Sequence, residues 1–173
     1  MEKVISIVGA GGKTTLVHKL AREYHRSGKG VLVTTTTHMY VESDTDLSCD
    51  FFALRDKIIK DGYCMAGQKI SEQKISEQSK MCGLQYDLLD KLIKDMPQAL
   101  DYVIIEADGA KHHSLKYPAA DEPVIYPLTT DVIIVLGTWE KGKLCKDVVF
   151  RYELMQNEDR KSTRLNSSHI TIS

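Results

Sequence analysis

The residues with the most chemical content lie near the start of the chain, where Gly9-Ala-Gly-Gly-Lys-Thr-Thr15 follows the apolar run Val4-Ile-Ser-Ile-Val8 and precedes a helical pattern. Glycines at 9, 11 and 12 let the backbone curl so that successive N–H groups converge, and the helix behind them adds the positive end of its dipole. Lys13 adds a full charge. Such an arrangement holds an anion, and the ligand it suits is a nucleotide polyphosphate contacted by Gly9, Gly11, Gly12, Lys13, Thr14 and Thr15. Lys13 would reach the β- and γ-phosphates, and the Thr14 hydroxyl would sit on Mg²⁺. ATP and GTP fit this chemistry equally. The usual phosphate loop has roughly four residues between its first glycine and Gly-Lys-Thr, and that spacing falls on Ile7 here, so this loop is a shortened form.

A second constellation is Glu106-Ala-Asp-Gly109, directly behind the buried-looking run Val103-Ile-Ile105. Beside a phosphate loop, an acid at a strand end holds Mg²⁺, and another can orient or deprotonate a nucleophile. Asp108 is the metal candidate and Glu106 the candidate base; the bland reading is a solvated Asp-Gly turn. A third is Thr34-Thr-Thr-Thr37-His38. Thr36, Thr37 and His38 could bond phosphate, Mg²⁺-bound water or a second substrate, although threonine also suits a strand merely as a β-branched residue. The fourth is Lys111-His-His-Ser-Leu-Lys116, whose positive charge could neutralise a transferring phosphoryl group; Lys116 is its favoured member and a solvated basic loop the alternative.

These groups can meet only if elements bring them together. Val4–Val8, Val31–Thr34, Tyr102–Glu106 and Val132–Gly137 are short, β-branched and nearly continuous in apolar character, as strands covered on both faces are. Leu16, Val17, Leu20, Ala21 and Tyr24 make one helical face, which Gly28 and Gly30 end. A second helix is expected over about Leu84–Met96, closed by Pro97, and a weaker one over Phe52–Lys60. Tyr63–Gln78 resists assignment; within it Lys69-Ile-Ser-Glu-Gln73 is repeated at once as Lys74-Ile-Ser-Glu-Gln78, a polar duplication that suits a solvated hairpin or lid. The fold class is α/β, a three-layer parallel sheet of the P-loop NTPase type, incomplete at the C-terminus. Its ligand should lie outside the carboxyl ends of the strands, lined by Gly9–Thr15, Thr34–His38, Glu106–Lys111 and Gly137–Glu140.

The 173 residues, 42% hydrophobic, suit one domain. Net charge of −1 gives no basic field to draw nucleic acid or anionic lipid. Cys49, Cys64, Cys82 and Cys145 are widely spaced, against a zinc site or disulfide framework. The first strand begins at Lys3 with no room for a signal peptide, and no apolar run approaches the roughly 20 residues that span a bilayer; a cytoplasmic location is expected. Residues 1–159 are read as the nucleotide-binding domain. The polar, aperiodic end from Arg160 to Ser173 is read as a non-native disordered tail.

Several motifs stand in a set order along the chain: Ile-Val-Gly-Ala-Gly-Gly-Lys-Thr-Thr, Val-Thr-Thr-Thr-Thr-His-Met, Glu-Ala-Asp-Gly-Ala-Lys, Leu-Lys-Tyr-Pro-Ala and Glu-Pro-Val-Ile-Tyr-Pro. Through Arg151-Tyr-Glu153 the chain resembles the selenium-dependent hydroxylase accessory protein family, of the YqeC type. The resemblance implies an Mg²⁺- and nucleotide-dependent accessory protein that hydrolyses or transfers a γ-phosphoryl group while a selenium-dependent molybdenum hydroxylase, or its cofactor, is matured. It also implies roles for Lys13, Thr14, His38, Glu106, Asp108, Lys116, Glu122 and Arg151, with Glu122 and Arg151 near a second substrate. A nucleotide-switched cofactor chaperone is the alternative. So is an ATP-binding module like that of the Mur ligases, which the short loop resembles.

Overall fold

Four apolar runs and one shorter segment assemble into a single parallel sheet. The computed structural model describes residues 3–70, 79–110, 113–140 and 142–161. In chain order the elements are β1 (Lys3–Gly9), α1 (Lys13–Arg26), β2 (Val31–Thr35), β3 (His38–Tyr40), α2 (Phe51–Asp61), β4 (Tyr63–Met65), β5 (Gln68–Lys69), β6 (Lys80–Cys82), α3 (Tyr86–Asp95), β7 (Tyr102–Glu106), β8 (Leu115–Lys116), β9 (Asp131–Val135), α4 (Cys145–Val148), β10 (Val149–Phe150) and α5 (Tyr152–Lys161). The five-stranded sheet has the order β4-β2-β7-β1-β9, with every neighbouring pair parallel. The chain is therefore an α/β protein whose sheet is flanked by helices.

Alternation along the central strands divides the core between two faces, as a pleated strand requires. Val4, Val8, Leu32, Val103 and Ile105 pack with Leu54 and Ile58 of α2 and Leu89, Leu92 and Ile93 of α3. Ile5, Ile7, Val31, Val33 and Ile104 pack on the other side with Val17 and Ala21 of α1. Tyr24 of α1 lies flat on Tyr102 at the start of β7, ring centroids 3.8 Å apart.

Both weaker expectations along this stretch resolve into elements. The Phe52–Lys60 pattern is α2, whose Asp50 side chain caps the first turn by accepting from Ala53 N–H at 2.8 Å. Tyr63–Met65, which the pattern left unassigned, is the outermost strand beside β2. It was hard to read because three residues give no period, and its register comes from pairing. Segments further on form a small antiparallel sheet, β3-β6-β5. Most of the Lys69–Gln78 duplication, residues 71–78, lies outside the described residues; Lys69 closes β5. Of the expected tail, Arg160 and Lys161 end α5 and residues 162–173 lie outside the described ones.

One correction concerns β9. Its apolar run was expected to be covered on both faces, yet Val132 is 51% and Ile134 69% exposed while Ile133 and Val135 pack inward. Among the described residues the strand is an edge, paired to β1 alone.

Candidate functional site

The carboxyl ends of four strands open onto one cleft of about 1190 Å³. Gly11–Thr15 follow β1, Thr35–His38 end or follow β2, Glu106 ends β7 with Gly109 and Ala110 after it, and Trp139 follows β9. That is the convergence expected of a parallel sheet. Glu122 and Arg151 also face the cleft, and the small antiparallel sheet adds a wall through Tyr40 and Lys80.

The loop's shape rests on close approach and left-handed backbone. Gly9 has φ 97°, and a Cβ there would meet the Val135 carbonyl oxygen at 2.2 Å. Gly12, with φ 107°, has nothing within 4 Å of a Cβ and opens toward solvent. Gly9 N–H donates to Asp108 Oδ2 at 3.0 Å, and Ala10 N–H to the Val135 carbonyl at 2.8 Å. The first helical bond of α1 is Leu16 N–H to the Gly12 carbonyl at 2.9 Å. Gly11, Gly12, Lys13, Thr14 and Thr15 consequently have no N–H acceptor among the described residues. A run of unsatisfied donors at a helix N-terminus favours an anion.

Lys13 is buried. Its Nζ donates to the Gly9 carbonyl at 2.6 Å and lies 3.1 Å from Asp108 Oδ1. Asp108 is also 3.3 Å from Lys116 Nζ, which in turn lies 2.6 Å from Glu122 Oε2. Arg151 Nη1 completes the chain by donating to Glu122. These contacts satisfy charge better than alignment, for Asp108 Oδ1 and Lys116 Nζ lack a well-directed hydrogen bond among the described residues. Burial pushes the Glu122 carboxyl up, but the close Lys116 and Arg151 cations outweigh it and hold it below its ordinary value.

Glu106 has different surroundings. Its Oε2 accepts from Thr14 Oγ1 at 2.8 Å, and it lines the cleft. Burial raises its pKa, against the opposing pulls of the Thr14 hydrogen bond and the Lys13 charge; nearby Asp108 adds to the rise. The Glu106 carbonyl accepts from Thr35 Oγ1 at 2.6 Å and from Thr36 N–H at 3.1 Å, which ties β2's end to β7's. Thr36 Oγ1 is spent on the Val124 carbonyl at 2.6 Å. Thr37 N–H donates to Thr35 Oγ1 at 3.0 Å, and the Thr37 side chain and exposed His38 border the cleft.

Each candidate named from sequence is thus near the loop, but not all face the same space. Gly11, Gly12, Lys13, Thr14, Thr15, Thr36, Thr37, His38, Glu106, Glu122 and Arg151 line the cleft, whereas Gly9, Asp108 and Lys116 lie behind its wall. Lys111 and His112 fall outside the described residues; His113 stacks on Phe150, ring centroids 5.6 Å apart. Sequence reasoning passed over Trp139 individually, although its segment had been expected at the cleft. It also missed Tyr40 and Lys80, since strands of three residues carry no readable alternation. Among the described residues there is no group of three or more His, Cys, Asp or Glu suited to a metal, and no helix long and apolar enough to cross a membrane.

A glycine-rich strand-to-helix loop and an acid-bearing neighbouring strand share one cleft, and the fold sets the class: an α/β protein with a five-stranded parallel sheet flanked by helices. Within that class, the model of the YqeC protein family matches residues 5–153, and the chain belongs to this family. The chain is 34% identical over 158 residues to a relative from Escherichia coli (strain K12), described as an uncharacterized protein YqeC. The match covers 86% of the present chain and 57% of that relative. No solved structure matches the chain.

Proposed function

We propose that the chain binds the polyphosphate of ATP or GTP together with Mg²⁺, in a sheet of the P-loop NTPase type, and hydrolyses or transfers the γ-phosphoryl group. The observation that carries this reading is the row of donors from Gly11 to Thr15, free of acceptors among the described residues and backed by the Lys13 ammonium. Lys13 needs only to leave the Gly9 carbonyl and Asp108 to reach a phosphate. Mg²⁺ is reluctant to shed water and is held by one or two carboxylates plus phosphate oxygens, so a site of Thr14 and a single acid suits it.

The proposal exchanges the two acids of the sequence-based expectation. Glu106 accepts the Thr14 hydroxyl and faces the cleft, which fits the acid on the metal side. Asp108, held behind the wall by Gly9 N–H, Lys13 and Lys116, fits a role in shaping the loop. Lys116 then acts by positioning Asp108 and Glu122, with no direct contact to phosphate.

The motif resemblance extends the proposal to maturation of selenium-dependent molybdenum hydroxylases, with the hydroxylase or its cofactor as partner. A nucleotide-switched chaperone is favoured by one further observation: the ionic chain Asp108–Lys116–Glu122–Arg151 runs from the loop to the residue before α5. Steady phosphate release by the chain alone would exclude that second reading.

Calorimetric titration with ATP and GTP, with and without Mg²⁺, tests the proposal. Lys13→Ala is expected to cost at least about 2 kcal/mol of nucleotide binding, as loss of a buried charged partner does. Glu106→Gln should weaken the Mg²⁺ dependence more than Asp108→Asn. Unchanged affinity in the lysine variant would refute the phosphate site; the opposite order of the acid variants would restore Asp108 to the metal.

A further inference from the structure

Trp139 is the single tryptophan of the chain. It borders the cleft beside the glycine loop, yet is 63% exposed. Its seat is made by two absent side chains. A Cβ on Gly11 would meet Trp139 Cη2 at 2.7 Å, and one on Gly137 would meet Cζ3 at 2.7 Å, so the six-membered edge of the indole rests on both glycines. The flanking residues are fastened to the segment ahead of β8. Gly137 N–H donates to the Ser114 carbonyl at 2.8 Å, and Ser114 Oγ to Glu140 Oε2 at 2.6 Å.

A large ring held at one edge, and otherwise open beside unsatisfied amides, fills no core. Its exposed surface is apolar and polarizable, the property that makes aromatic side chains platforms for nucleobases. We infer that Trp139 stacks on the aromatic base of the nucleotide whose phosphates the loop holds; the inference rests on the phosphate site proposed above. Because every base has a π-face, this contact adds affinity without choosing strongly between adenine and guanine. Gly11 then has two roles, giving the phosphate an unhindered amide and giving the ring its seat.

The test separates base from phosphate. The full chain is titrated with Mg²⁺-ATP, Mg²⁺-GTP and Mg²⁺-tripolyphosphate, which has no base, while tryptophan emission reports on the one indole and calorimetry reports on affinity. ATP or GTP should quench emission strongly and tripolyphosphate should change it little. In Trp139→Ala the ratio of nucleotide to tripolyphosphate affinity should fall roughly tenfold, and Trp139→Phe should recover most of it. If nucleotides and tripolyphosphate bind but the ratio is the same in Trp139→Ala, the stacking role is overturned and the phosphate site stands. If neither nucleotide nor tripolyphosphate binds, the phosphate site fails and the stacking role with it.

Discussion

β7 and β9 begin as similar five-residue strands, Tyr-Val-Ile-Ile-Glu and Asp-Val-Ile-Ile-Val, and both flank β1, β7 as the central strand between β1 and β2 and β9 at the edge of the sheet among the described residues. Every residue of β7 is buried, while β9 alternates between half-buried and exposed. The difference lies in neighbours, not in side chains. β7 is sandwiched by α1 on one face and α2 and α3 on the other, through Ile104 and Ile105 respectively. β9 shares the α1 side through Ile133 and Val135 and leaves Val132 and Ile134 outward. Chemistry follows the same division: β7 delivers two acids into a charged network, whereas the loop after β9 delivers an exposed indole.

The largest effect should come from the covered strand. Ile105→Ala removes a side chain with no exposed surface from the cluster around α2 and α3, and is expected to cost about 4 kcal/mol, the transfer and cavity terms together. Urea denaturation followed by circular dichroism measures it. A loss under about 1 kcal/mol would mean that the site is far less tightly packed than the cluster implies.

This contrast also explains what the sequence could and could not tell. Long apolar runs and the α1 stripe made the strands and the first helix readable, and Gly-Lys-Thr and Glu-Ala-Asp-Gly marked the strand ends that converge. Type and order of residues carried that information. Whether β9 was covered did not lie in its own composition, because burial of a strand depends on which helices pack over it. The surroundings of the two acids were hidden for a similar reason. Only the third dimension puts Glu106 against Thr14 and Asp108 between two lysines. The strands β5 and β6, paired antiparallel on either side of the Lys69–Gln78 duplication, agree with the hairpin expected there, whereas β3 was invisible because three residues cannot display a period.

Glu106 at the end of β7 and Glu122 in the charged network beside it predict opposed pH dependences. Burial raises Glu106 above its ordinary 4.5, so the fold favours the protonated form. Its contribution is complete below pH 4.5 and is lost as pH rises through the folded-state value. Glu106→Gln does not titrate. Its thermal midpoint should therefore gain on the parent as pH rises from about 4 toward about 8. Glu122 has the opposite sign. Burial acts to raise it, yet Lys116 and Arg151 prevail and lower it, so its contribution is present above 4.5 and is lost as pH falls through the folded value. Glu122→Gln should accordingly lose stability near neutral pH and approach the parent in acid. Midpoints that ran parallel to the parent at all pH values would remove the electrostatic distinction between these carboxylates.

The smallest effect belongs to the exposed strand, and it sharpens the comparison most. Ile134 has the same side chain as Ile105 and lies at the same depth within its strand, the fourth residue of each. Being 69% exposed, it has little apolar area left to lose on unfolding. Threonine keeps the β-branch and so the strand preference. Ile134→Thr should shift stability by no more than about 0.5 kcal/mol, in the range of ordinary surface changes. The same substitution breaks the apolar row Val132, Ile134 and Leu136 on an edge strand, a row of the kind that promotes association between chains. Light scattering at increasing protein concentration should therefore register less association in Ile134→Thr than in the parent. A destabilisation near that of Ile105→Ala would instead mean that this face is covered in solution, and that β7 and β9 differ less than their exposures suggest.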